Sequence, residues 1–89
     1  MTNKRTLKHA INAICEELLD EAVAVSLYGD EHQRKNADGL VYAIFRLRSN
    51  YLSRVSHIEP GLRPRLYFKD LREKFAAEVD EIVDQIYTV

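Results

Sequence analysis

The chain has 89 residues, a formal net charge of −1, and 46% hydrophobic and 30% charged residues. That length suits one domain able to bury roughly 60–65% of the surface its extended chain exposes. The balanced charge supplies no global field for nucleic acid or anionic lipid, and the apolar content is too high for a disordered chain. One cysteine, Cys15, permits no internal disulfide. No apolar run approaches the ~18 residues of a membrane span. Asn12, Glu16 and Glu17 break up any signal-peptide core, so the expected location is cytoplasmic, with no membrane partner.

The periodicity predicts a first helix from Asn3 to Tyr28, with Thr2, Asn3 or Thr6 as its cap. Leu7, Ala10, Ile11, Ile14, Cys15, Leu18, Ala22, Val25 and Tyr28 share one face, and Gly29 follows as a C′ residue. Leu19, Val23 and Leu27, spaced by four, make a further apolar row away from that face. A helix apolar nearly all round is either central in its bundle or covered by another subunit.

Asp30 and Gln33 have the spacing of a capping box opening a second helix. Residues 30–36 contain no apolar side chain, and Gly39 weakens a helix by ~1 kcal/mol relative to alanine. The expectation is still one helix from about Glu31 through Ser56. Its centre is Ala37 to Val55, where Ala37, Leu40, Val41, Ile44, Phe45, Leu47, Tyr51, Leu52 and Val55 recur at steps of three and four. Arg48 alone interrupts this stripe. A stripe so wide needs at least two neighbouring helices.

Ser56 to Pro64 is the one extended loop. Pro60-Gly61 suits the centre of a type II turn and Pro64 suits the first position of a third helix. There Phe68, Leu71, Phe75, Ala76, Val79, Ile82, Val83 and Ile86 form a narrow stripe. In all three helices apolar residues repeat eleven apart, as in Leu7 to Leu18, Val41 to Leu52 and Phe75 to Ile86. Eleven residues in three turns give nearly straight helices. The fold expected is all-α: an up-down-up bundle of three straight helices in a single domain covering residues 1–89.

Arg48, with Glu21 as acceptor, is expected to form a core-edge ion pair rather than a ligand site, because structural pairs so often imitate sites. Glu17 with Asp20, and Glu81 with Asp84, have an i, i+3 carboxylate spacing that resembles the acidic helix motifs of all-α nucleotide pyrophosphohydrolases. That resemblance implies Mg²⁺-dependent phosphate chemistry. The two clusters sit on the first and last helices and drift to their outer faces, so solvated flanks account for them better. His9, His32 and His57 share no metal-ligand spacing, and Cys15 lies on the core face, where thiols are inert. No catalytic residue, metal or other cofactor is expected.

Two functional readings survive. The first is a non-enzymatic, self-associating helical module, a homodimer in which Leu19, Val23 and Leu27 form the interface, with a protein partner as a further option. The second is anion or nucleic-acid binding through the basic loop and the start of the third helix, using Arg54, Arg63, Arg65 and Lys69 beside Tyr67. The neutral overall charge favours the first.

Overall fold

The computed structural model describes residues 4–58, 61 and 63–87. They form three helices: α1 (Lys4–Tyr28), α2 (Glu31–Ser56) and α3 (Pro64–Tyr87). The helical spans match the sequence expectation to within a residue. Of the caps proposed for α1, Thr2 and Asn3 lie outside the described residues, and Thr6 stands inside the helix.

The α1–α2 connection is as short as a helical hairpin allows. Gly29 N donates to Val25 O (2.8 Å), closing the last turn of α1. Asp30 then caps α2 reciprocally: Gln33 N donates to Asp30 Oδ1 (2.8 Å) and Asp30 N donates to Gln33 Oε1 (2.9 Å). This capping box satisfies two helix-start donors at once. With the nucleus fixed, the apolar-free residues 31–36 and Gly39 stay helical.

Gly29 acts differently from a left-handed C′ residue. Its φ is not positive, and Gly61 (φ 86°) alone has that conformation among the described residues. Gly29 is required for space instead. A Cβ there would stand 2.6 Å from Val25 O and 2.9 Å from Gln33 Cβ. Gly61 has the positive φ of a type II turn's third position; Pro60 lies outside the described residues.

Hydrogen bonds at both ends fix the direction of α3. Asn36 Nδ2 donates to Gln85 O (3.2 Å) near the start of α2, and Tyr67 Oη donates to Arg54 O (2.9 Å) near its end. So α3 runs antiparallel to α2 and parallel to α1. Tyr87 Oη reaches across to Glu21 Oε2 of α1 (2.7 Å). The result is an up-down-up bundle of rods measuring 48 × 18 × 18 Å.

One core serves all three helices. Ile11, Cys15, Ala22, Ile44, Tyr51 and Val55 are each at most 1% exposed, with Leu71, Phe75, Ile82 and Ile86 contributed by α3. Each large side chain so buried stabilises by roughly 1.5–3 kcal/mol. Helices α1 and α2 pack most extensively, and small side chains at Cys15, Ala22 and Ala37 are buried among them. Helix α3 stands farther off, and larger groups fill that space. Phe75 meets Tyr51 edge to face, with ring centroids 5.1 Å apart. Helix α2 therefore contacts both neighbours, as its wide stripe requires.

Three large members of the apolar stripes are exposed. Ile14 is 36% exposed, Phe45 51% and Tyr28 87%. Two neighbours cannot wrap the full width of either stripe.

Candidate functional site

The register between α1 and α2 determines which surface groups meet. Ser26 Oγ donates to Asp38 Oδ1 (3.0 Å), and Arg48 lies near enough to Cys15 for its charge to act on the thiol. These pairs set a ladder of heights along the hairpin: Val23 stands level with Val41, Leu19 with Phe45, and Glu16 with Arg48.

Helical phase then fixes the sides. Glu21 faces α3 through Tyr87, and Val23, two residues later, lies about 200° further round, on the opposite flank. Asn36 faces α3 through Gln85, and Phe45, nine residues on, lies about 180° away. The face of the hairpin remote from α3 therefore carries Leu19, Val23 and Leu27 from α1 beside Val41 and Phe45 from α2. Val23 is 44% exposed and Leu27 68%, whereas Leu19 and Val41 are half-buried, resting on the core. The proposed α1 row is thus one face, with its first member partly absorbed inward. Phe45, a member of the α2 apolar stripe, is its neighbour from α2 and is 51% exposed. The signal that could have found it is its phase: Phe45 sits at the edge of the α2 stripe.

Arg48 is half-buried beside this face, and the ion pairs among the described residues do not include one with Glu21. Register is the reason. Arg48 stands level with Cys15 and Glu16, and Glu21 lies five to six residues along α1, about 8–9 Å away at 1.5 Å per residue. Glu21 accepts the Tyr87 hydroxyl instead, which pushes the Tyr87 pKa up. Two ion pairs among the described residues, Lys35–Glu31 at 3.8 Å and Lys74–Asp70 at 3.1 Å, are exposed and join residues four apart on one helix. Burial raises the Cys15 thiol pKa, and nearby Arg48 opposes this, a direction that disfavours the thiolate.

The basic end of the molecule is partly occupied with internal work. Arg54 lies over the Tyr51 ring, 4.8 Å from its centroid. The Tyr67 hydroxyl donates to both Arg54 O (2.9 Å) and His57 O (3.3 Å), tying the start of α3 to the end of α2. The Tyr67 ring packs edge to face on Phe68. Arg63, Arg65 and Lys69 remain as exposed cations around the first turn of α3.

Between α2 and α3 runs an open groove of about 740 Å³, whose lining includes Arg46, Asn50, Ser53, Glu78, Glu81 and Gln85. The phenol of Tyr51 reaches its edge. Burial, and then a hydrogen bond to Glu78, push Tyr51 up to about 12. The remaining polar side chains of the groove are mixed in sign and point into solvent. No three His, Cys, Asp or Glu side chains converge as metal ligands among the described residues, and no described helix is long and apolar enough to cross a membrane.

No protein-family model matches this chain, and neither a curated protein nor a solved structure does.

Proposed function

We propose that this chain is a non-enzymatic helical interaction module that pairs with a second copy of itself through the α1–α2 face remote from α3. The single observation that carries the reading is the exposure of Val23, Leu27 and Phe45 together on that face, level with half-buried Leu19 and Val41. Contiguous exposed apolar surface is uncommon on monomers and marks interaction sites. The alternative at the basic end is less well supported, because Arg54 and Tyr67 already have structural partners in the fold. A twofold pairing would bury both copies of the face in a four-helix seam between two hairpins.

Sedimentation equilibrium at tens of micromolar tests the reading. The expected mass is that of a dimer, and Leu27→Asp, at a position 68% exposed, is expected to give a folded monomer. A wild-type monomer at that concentration, or a Leu27→Asp dimer as tight as wild type, overturns it.

A further inference from the structure

The same face carries charge as well as apolar surface, and the charge selects one way for two copies to meet. We infer that the dimer's twofold axis runs parallel to the helices, so that each α1 lies on the partner's α2 and Glu16 faces the partner's Arg48. This inference rests on the self-association reading above and adds an orientation to it.

Beyond Leu19, going down the hairpin, the apolar face gives way to Glu16 on α1 and Arg48 on α2. Glu16 lies seven residues before Val23, about 20° from it in phase, so it shares the outer flank. Arg48 lies seven residues after Val41, with the same small offset. Glu16 is exposed and Arg48 half-buried, and no ion pair among the described residues joins either one within the chain. A basic group on α2 and an acidic group on α1, at equal height on one face, are self-complementary under one particular rotation.

Two rotations bring this face against its copy. With the axis parallel to the helices, residues of equal height meet crosswise: Val23 meets the partner's Val41, Leu19 meets the partner's Phe45, and Glu16 meets the partner's Arg48, each contact made twice. With the axis perpendicular to the helices and centred on Val23 and Val41, α1 meets the partner's α1 and α2 meets the partner's α2. Glu16 then falls on the partner's Asp30, and Arg48 on the partner's Arg34. Like charges juxtaposed across an interface disfavour that centring strongly, whereas the first rotation sets opposite charges together and matches the apolar residues level by level.

Charge exchange tests the orientation. Glu16→Arg and Arg48→Glu each set like charges against each other twice in the crosswise dimer. Each is expected to weaken self-association roughly a hundredfold. Glu16→Arg is the cleaner variant, since its site is exposed, whereas Arg48 is half-buried. Mixing the two single variants restores both contacts, because each copy then supplies what the other lacks. The Glu16→Arg/Arg48→Glu double variant restores them too. Sedimentation of the singles, the equimolar mixture and the double variant reads the result, with circular dichroism reporting that each chain is folded. Recovery of the dimer in the mixture and in the double variant supports the orientation. A dimer in both singles as tight as wild type, or no recovery on mixing, overturns the orientation and leaves self-association standing. A wild-type monomer overturns both.

Discussion

The two seams of this bundle are built on opposite plans. Between α1 and α2 the packing is extensive, with small buried side chains at Cys15, Ala22 and Ala37, and the helices are joined by a turn with no spare room at Gly29. Between α2 and α3 the axes stand apart. Phe75 and Tyr51 bridge them at one level, latches at Asn36–Gln85 and Tyr67–Arg54 hold the ends, and a polar groove stays open along the seam. A close seam draws its stability from many small contacts and cannot yield locally. A wide seam concentrates its stability in a few large side chains and end bonds. The close seam also has a consequence for the surface: two helices pressed together leave a shallow outer valley, and here that valley is lined with Leu19, Val23, Val41 and Phe45.

Phe75→Ala should produce the largest break in this comparison. The side chain is 6% exposed and is the main aromatic that α3 contributes to Tyr51. Truncation is expected to destabilise by about 3–5 kcal/mol, measured from the denaturation midpoint. Amide exchange should show α3 losing protection before α1 and α2, because the close seam survives without it. Equal loss of protection in all three helices would mean the seams are not energetically distinct.

Gly29→Ala probes the other side. The added Cβ meets a backbone carbonyl oxygen at 2.6 Å, a contact that only a shift of the chain relieves. A cost of about 1–3 kcal/mol is expected, as for other overpacked positions. The loss should fall on the start of α2 and the capping box, leaving the Tyr67 latch in place. A substitution without effect on the melting temperature would mean that the turn has slack after all.

The sequence carried most of this architecture, because helix ends and stripes are local properties. Asp30 and Gln33 announced the cap of α2, Pro64 the start of α3, and the eleven-residue spacing the straight rods. What it did not carry depends on register between helices. Arg48 and Glu21 looked like partners because both lie near the core edge of their own helices. Which turn of α1 faces which turn of α2 is decided by the length of the connection and the heights it imposes, and that places Arg48 beside Cys15. Phe45 was assigned to the core stripe because phase within one helix cannot say how far the neighbouring helix reaches round it. The sequence marks Gly29 for conformational freedom; the close approach of Val25 O and Gln33 that makes it necessary comes from how the turn folds back on itself. The spacing of four along α1 is legible in the sequence, but not that Leu19 is half-buried against the core while Val23 and Leu27 are exposed. Nor is the row's union with Phe45 and Val41 into one face, since that needs the same heights.

The smallest expected effect is that of Tyr67→Phe. The change removes one hydroxyl, which donates to Arg54 O at 2.9 Å and His57 O at 3.3 Å, and leaves the ring on Phe68. Both carbonyls lie at the exposed end of α2, where water can replace the lost donor, so the cost should be near the lower end of about 0.5–1.5 kcal/mol. The informative readout is local. Amides in the first turns of α3 and the last turn of α2 should exchange faster, while those around Ala22 and Ala37 keep their protection. If the latch instead holds the whole of α3 in place, Tyr67→Phe will approach the cost of Phe75→Ala, and the wide seam will have to be read as fastened at its ends rather than at the aromatic pair in its middle.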